Sequence, residues 1–176
     1  RVGKEFPNRI GGEDARNKAT FTSNDPSEPQ RVIGVFPKQN SETARAAVAA
    51  AVDAFPAWSR LDPHDRALVL LRAAAIMKRR RFELNAWMIL EVGKTWPEAD
   101  ADVAESIDFC EFYAREMLRY AGDQPLVKLP GEQNHLDYIP LGVGAVIPPW
   151  NFPLAIMAGM TGAAIVTGNT VVLKPS

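Results

Sequence analysis

The sequence predicts an α/β protein in which a helical N-terminal region precedes the first βαβ unit of a Rossmann-like parallel sheet. Between residues 41 and 121, apolar residues recur at helical spacing. From residue 142 onward, two uniformly apolar runs at 143–147 and 170–174 flank an apolar helical stretch. Such runs are typical of strands buried on both faces, and the unit has the usual βαβ length of about 32 residues.

The first 40 residues are rich in Gly, Pro and Asn, with short apolar runs such as 31–36. This pattern predicts an extended arm with one or two short edge strands. A helix is expected to begin near Ser41, where an Ala-rich stretch places apolar residues at helical spacing. Pro56 is expected to limit that helix.

Further helices are delimited by residues with capping preferences. Asp62 is suited to the N-cap of a second helix, with Pro63 in its first turn. Another helix follows and is expected to end near Gly93. Pro97 is expected to open the longest helix, which ends at Gly122.

The next segment contains three prolines and one glycine within residues 123–141. Its alternating stretches 126–129 and 136–139 predict two short antiparallel strands joined by a turn at Pro130 and Gly131. Pro153 is then suited to the N1 position of the helix inside the βαβ unit.

Three regions follow from these elements: an arm with helices (1–122), a hairpin (123–141) and the start of a Rossmann-like core (142–176). Two parallel strands normally belong to a larger sheet with helices on both faces. The chain also starts at Arg1 and stops after a strand-like run. We therefore expect it to be the N-terminal part of a larger α/β protein.

Composition excludes several classes of protein. The chain has 20 Lys and Arg against 21 Asp and Glu, which argues against nucleic acid as the main partner. No apolar run approaches the roughly 18 residues of a membrane span, and the first ten residues lack the apolar core of a signal peptide. A single cysteine, Cys110, is compatible with a reducing cytoplasm, where we expect the protein to reside.

Most candidate reactive groups have a structural explanation. Cys110 lies on an apolar helical face, which favours core packing over a role as nucleophile. His64 and His135 are 71 positions apart and carry no metal-ligand spacing, so no metal site is expected. The basic run 78–81 sweeps about 300° of a helix and predicts a solvated helix end rather than a nucleic-acid patch.

The carboxylates of the longest helix are mostly explained as the polar side of an amphipathic helix, and Glu111 is spaced to pair with Arg115. This group comprises Glu98, Asp100, Asp102, Glu105, Asp108 and Glu111.

The turn after residue 147 differs from an ordinary dinucleotide-binding loop. Ile147 stands where the third glycine of the fingerprint belongs, and two prolines follow that have no N–H to offer a phosphate. Asn151 follows at the carboxyl end of the predicted strand, where α/β sheets bind ligands. Its amide can donate into a cleft, or the segment is a proline-rich turn with a buried Trp.

Two motifs resemble the aldehyde dehydrogenase superfamily. They are Pro-Pro-Trp-Asn-Phe-Pro-Leu at 148–154 and Thr-Gly-Asn-Thr-Val-Val-Leu-Lys-Pro-Ser at 167–176, with the family's spacing. Within the superfamily, the chain most resembles the 1-pyrroline-5-carboxylate (glutamate-semialdehyde) dehydrogenases. This similarity lies in residues 91–94, 101–109 and 155–159.

The resemblance implies NAD(P)-dependent oxidation of an aldehyde to a carboxylate, with glutamate semialdehyde the implied substrate in proline catabolism. In the family a cysteine thiolate attacks the aldehyde, hydride passes to the nicotinamide and water hydrolyses the thioester. The resemblance assigns Asn151 to the oxyanion, Lys174 to the adenosine ribose, and Glu105 and Phe152 to the aldehyde channel. Further cofactor contacts implied in the same way are Ile147, Pro148, Pro149, Trp150 and Ser176.

No cysteine follows Ser176, so the family's nucleophile has no counterpart in this chain, and Cys110 lies far upstream. The chain alone is therefore expected to be inactive, within a parent enzyme that forms a homo-oligomer. The alternatives are another aldehyde dehydrogenase, such as one for succinate semialdehyde, or a non-catalytic oligomerisation module. A reading frame that continues into a cysteine-containing segment would distinguish enzyme from module.

Overall fold

A computed structural model describes residues 2–176. Within that range the chain forms five helices and seven strands. The helices are α1 (Ser41–Ser59), α2 (Pro63–Arg79), α3 (Arg81–Val92), α4 (Trp96–Ala121) and α5 (Ala155–Val166). The strands are β1 (Lys4–Glu5), β2 (Asn8–Ile10), β3 (Glu13–Ala15), β4 (Thr20–Asp25), β5 (Glu28–Pro37), β6 (Val143–Val146) and β7 (Thr170–Leu173).

The N-terminal arm contains more strand than predicted. β5 pairs with β1 in parallel and with β4 in antiparallel orientation, while β2 and β3 form a separate hairpin. Gly11 and Gly12 close that hairpin with φ angles of 58° and 89°; positive φ at both positions is typical of type I′ hairpin turns, and glycine adopts it without strain. The expectation of one or two edge strands is wrong. The polar strands β2 and β3 pair through their backbones, and their sequences lack the apolar alternation by which a strand is recognised.

Helix α1 extends beyond its predicted end. It passes Pro56 and ends at Ser59, so the prediction that this proline limits the helix is wrong. A proline removes one backbone donor, but the last turn has other anchors. The indole Nε1 of Trp58 donates to the Ile165 carbonyl at 2.8 Å, and Nε of Arg60 donates to the Pro56 carbonyl at 2.6 Å.

Three other helix ends follow their capping residues. Oδ1 of Asp62 accepts from the His64 backbone N–H at 2.8 Å at the start of α2, as predicted. Helix α3 ends at Val92 and is capped by Gly93, which has a φ of 69°. Helix α4 begins at Trp96, one residue before the predicted proline, because Thr95 and Glu98 form a capping box.

The main core lies between α2, α4 and α5, whose apolar faces pack against one another. It is formed by the buried residues Ala67, Leu70, Ala74, Cys110, Ala114, Met117 and Val166. A smaller cluster of Met88, Ala99 and Val103 joins α3 to α4. Helices α4 and α5 approach closely at Gly159, where a Cβ atom would lie 2.9 Å from the Phe109 ring.

The predicted βαβ unit is present. β6 and β7 are parallel and pair in register from Val143 with Thr170 to Val146 with Leu173. Two details of the prediction are wrong. Only Val146 of β6 is fully buried, because the neighbouring helices cover just part of this two-stranded sheet, and α5 begins at Ala155, two residues after Pro153.

The segment between α4 and β6 has a turn but no strands. The Glu132 N–H donates to the Leu129 carbonyl at 3.2 Å, and Gly131 has φ of 81°, which places the turn where it was predicted. The flanking stretches do not pair with each other, so the predicted hairpin is wrong for this chain. A lone two-stranded hairpin is marginally stable, and the side chains of Val127 and Ile139 remain exposed.

Candidate active site

The carboxyl ends of β6 and β7 form the edge where the sequence places the candidate site. The Lys174 backbone N–H donates to the Val146 carbonyl at 2.9 Å. The chain therefore leaves both strands at the same edge of the sheet, which brings the segment 147–154 beside residues 174–176. This edge is the usual ligand-binding position of open α/β sheets.

The segment 147–154 is anchored at one end and exposed in its middle. Pro148 is buried, whereas Ile147 and Trp150 are 64% and 65% exposed. Asn151 is also exposed, and its side chain makes no hydrogen bond to any other residue of 2–176. The N-cap position of α5 is Leu154, so Asn151 does not cap that helix, and its amide is available to a ligand.

Lys174 is exposed at the end of β7 and forms no ion pair within residues 2–176. Ser176, also exposed, lies two residues further along. An ammonium without a carboxylate partner can donate hydrogen bonds to the hydroxyl groups of a ligand at this edge. The structure thus brings the two prolines, Asn151 and Lys174 together at one edge of the sheet.

A buried ion pair lies behind this segment. Oδ1 of Asp102 accepts from the Ala155 backbone N–H at 2.6 Å, and its Oδ2 accepts from Nζ of Lys94, also at 2.6 Å. The Lys94 ammonium lies 4.4 Å from the centroid of the Phe152 ring. Assigning Asp102 to the polar face of the helix was therefore wrong, because its side chain is fully buried.

Sequence reasoning did not assign a functional role to either member of this pair. The sequence placed the start of α5 at Pro153, so the missing side-chain acceptor at the observed N-cap, Leu154, became visible only in the structure. Glu105, the predicted channel residue, is half-buried and lies three residues beyond Asp102 on α4. No hydrogen bond joins Glu105 to another residue of 2–176, and its contact with an aldehyde stays a prediction.

The thiol of Cys110 is not part of this edge. It is 5% exposed among the buried residues of α2, α4 and α5, as predicted. Burial raises the pKa of the Cys110 thiol, which lowers its thiolate fraction and its reactivity. Residues 2–176 contain no group of three or more His, Cys, Asp or Glu side chains arranged to hold a metal ion.

A second feature is a groove of about 880 Å³ along the outer edge of β7. It is lined by the β2 strand, by alanines of α1 and by residues 169–175. None of residues 147–152 lines it, whereas Lys174 does, so the groove adjoins the candidate site at Lys174 but does not include the segment that carries Asn151. No helix within the described part of the chain is long and apolar enough to span a membrane.

The fold and the two motifs at this edge define the class of protein. The model of the aldehyde dehydrogenase family matches residues 13–176. The chain belongs to the aldehyde dehydrogenase family.

Several relatives that are named as one particular aldehyde dehydrogenase are similar to this chain over almost its whole length. The 1-pyrroline-5-carboxylate dehydrogenase of Geobacillus thermodenitrificans is 53% identical over 175 residues, which is 99% of this chain and 34% of that protein. The 1-pyrroline-5-carboxylate dehydrogenase 2 of Bacillus subtilis is 49% identical over 175 residues, which again is 99% of this chain and 34% of that protein. The chain thus spans about a third of the length of these relatives.

Solved structures agree with this assignment. A Thermus 1-pyrroline-5-carboxylate dehydrogenase with bound NAD superposes with a TM-score of 0.95 at 48% identity, covering 99% of this chain and 34% of that one. The lactaldehyde dehydrogenase of Escherichia coli gives a TM-score of 0.89 at 34% identity, covering 99% of this chain and 37% of its own. The fold is therefore that of the N-terminal part of an aldehyde dehydrogenase.

Proposed function

We propose that the full-length protein to which this chain belongs is an NAD-dependent dehydrogenase that oxidises glutamate semialdehyde, the open form of 1-pyrroline-5-carboxylate, to glutamate. The observation that carries this proposal is the 53% identity over 99% of the chain to a dehydrogenase of that name. The exposed Asn151 at the carboxyl edge of the sheet supports it, because the family motif assigns that asparagine to the reacting oxygen.

In the proposed reaction, a thiolate supplied by the rest of the protein adds to the aldehyde carbon, and the carbonyl oxygen becomes an oxyanion. The Asn151 amide donates a hydrogen bond to that oxygen. A donor fixed before the reaction stabilises the developing charge without reorganising, an effect of about 2.7–4 kcal/mol in an acyl-transfer site. Loss of hydride then gives a thioester, which water hydrolyses to the carboxylate and the free thiol.

NAD supplies the hydride acceptor when it is bound. The residues at this edge fit the ribose of NAD but not its pyrophosphate. The tandem prolines provide no N–H for a pyrophosphate, so the first turn of the unit is not the phosphate cradle. The Lys174 ammonium, exposed and without an ion-pair partner in residues 2–176, fits the ribose hydroxyls. Ile147 and Trp150 offer exposed apolar surface beside it.

We further propose that residues 1–176 alone do not turn over substrate, since Cys110 is buried and no other thiol is present. The three regions 1–122, 123–141 and 142–176, a homo-oligomeric parent and a cytoplasmic location stay predictions. The exposed apolar side chains of 126–141 favour a role for that segment in contacts between subunits.

The substrate assignment is tested by comparing kcat/KM of the full-length protein for glutamate semialdehyde and for succinate semialdehyde, with NAD in excess. We expect glutamate semialdehyde to be preferred by at least about tenfold, because its α-amino group provides additional polar contacts to discriminate. A preference for succinate semialdehyde would replace the proposed substrate while leaving the family unchanged.

A further inference from the structure

Helix α5 has no capping residue of its own. Its N-cap residue Leu154 makes no side-chain hydrogen bond, yet the Ala155 N–H is buried and needs an acceptor. Asp102 supplies that acceptor from α4, 53 positions earlier in the chain. A carboxylate at this point also interacts favourably with the positive end of the helix dipole.

Lys94 completes the arrangement on the other oxygen of the carboxylate. Its side chain is 12% exposed and that of Asp102 is fully buried, so each needs the other as a counter-ion. The same ammonium lies over the Phe152 ring, which adds a cation–π contact to the segment between β6 and α5. One ion pair therefore contacts that segment at two points, Phe152 and Ala155.

We infer that Asp102 and Lys94 are positioning residues that fix the direction of the Asn151 side chain. The inference rests on the proposed function, which assigns Asn151 to the oxyanion. Asn151 has no side-chain partner within the described chain, so the path of its own backbone sets where its amide points. That path is anchored before Asn151 by the buried Pro148 and after it by the contacts of Lys94 with Phe152 and of Asp102 with Ala155.

The test uses the Asp102→Asn variant in the full-length protein, which preserves side-chain size but removes the charge that holds Lys94. Misplacement of a catalytic group by about 1 Å is sufficient to lower a rate about a hundredfold. We expect kcat to fall by roughly tenfold to a hundredfold at temperatures well below unfolding. The dissociation constant of NAD is expected to change far less than kcat, because Lys174, the charged cofactor contact that we propose, lies outside the segment 147–154 and makes no contact with the ion pair.

Asp100→Asn is the matched control. Asp100 lies on the same helix and also holds a cation, since it pairs with Arg81 of α3, but that pair has no bond to α5. The control variant is expected to lower the melting temperature without changing kcat. An equal loss of kcat in both variants would mean general destabilisation and would overturn the inference.

The decisive readout is the effect of Asp102→Asn in an Asn151→Ala background. A residue that acts through Asn151 has nothing left to position there, so the second substitution is expected to change kcat by less than about twofold. A loss as large as in the wild-type background would assign Asp102 a purely structural role. Should Asp102→Asn fail to fold, Lys94→Met is to be measured in both backgrounds, with the same expectations.

The two proposals fail in different ways. If the wild-type protein oxidises no aldehyde, or if Asn151→Ala leaves kcat unchanged, the proposed function or its assignment of Asn151 is wrong. If Asn151→Ala lowers kcat while Asp102→Asn and Lys94→Met do not, only the inferred positioning is wrong.

Discussion

At the scale of single residues, the position of Asn151 separates two explanations of its motif. A capping role would place its side chain at the first turn of α5, but that helix begins four residues later. The amide is instead exposed and unpaired among the residues described. This location favours a contact with a ligand over a contribution to folding.

We therefore expect Asn151→Ala in the full-length protein to lower kcat and kcat/KM together, by about a hundredfold to a thousandfold, because one donor to the oxyanion is lost. The melting temperature is expected to remain within experimental error. Steady-state kinetics and thermal unfolding of the same preparation measure both. A normal kcat with a lowered melting temperature would instead make Asn151 a structural residue.

Lys174→Ala is expected to weaken NAD binding by about tenfold or more while KM for the aldehyde changes little, since the charged donor that we propose for the cofactor is lost. Fluorescence titration of the full-length protein with NAD gives the dissociation constant. Lys174 is exposed and unpaired within residues 2–176, so its removal disturbs no packing. An unchanged dissociation constant would exclude Lys174 from the cofactor site.

Cys110→Ser is expected to destabilise the protein by about 1–3 kcal/mol, because it places a hydroxyl in an apolar core. Burial raises the pKa of the thiol, so at neutral pH the native protein is expected to react with thiol reagents far more slowly than after denaturation. Labelling followed by mass spectrometry measures this rate. Native-state labelling as fast as that of an exposed thiol would contradict the core assignment.

At the scale of elements, the contact between α4 and α5 is sensitive to side-chain volume. A Cβ atom on Gly159 would lie 2.9 Å from the Phe109 ring, whereas one on Gly162 would lie 3.5 Å from Leu70, an ordinary contact distance. Both glycines are buried in the same helix. They therefore form a matched pair for testing how closely the helices pack.

Gly159→Ala is expected to cost about 1–3 kcal/mol through overpacking, whereas Gly162→Ala is expected to be neutral or to stabilise by up to about 1 kcal/mol through helix propensity. Denaturant unfolding of the two variants beside the wild type measures the difference. Equal stability of the two variants would show that α4 and α5 are not in close contact at Gly159.

The elements also show what the sequence could predict. The helices and the βαβ unit were predictable because Asp62, Pro63 and Gly93 mark helix ends and the apolar spacing marks the faces. Strands β2 and β3 were not, since they are polar and depend on backbone pairing closed by two glycines. The buried position of Asp102 was also missed, because carboxylate spacing on a helix does not reveal a partner 53 residues away.

The candidate site shows the same difference between what local sequence predicts and what depends on tertiary packing. Its location was predictable from an apolar strand followed by prolines and Asn151, which marks the carboxyl edge of a sheet. The contact of Lys94 with Phe152 was not, because it depends on how α4 packs against the start of α5. Local sequence therefore predicted where the candidate site lies, and tertiary packing supplies the contacts that support it in the structure.

At the scale of the whole molecule, the chain spans about a third of the length of its relatives, and within residues 2–176 the β6–β7 sheet has two strands. The groove of about 880 Å³ along β7 presents an unpaired strand edge between α1 and the β2–β3 hairpin. Parallel sheets are normally larger and covered on both faces. We therefore propose that this edge is where the sheet continues in the full-length protein.

The most direct test is NADH formation from glutamate semialdehyde by the full-length protein and, separately, by residues 1–176. We expect turnover by the full-length protein and none above background by the shorter chain, because its one thiol is buried in the helical core. Activity of residues 1–176 that disappears in the Cys110→Ala variant, or a full-length protein that is folded but inert toward aldehydes, would contradict this account.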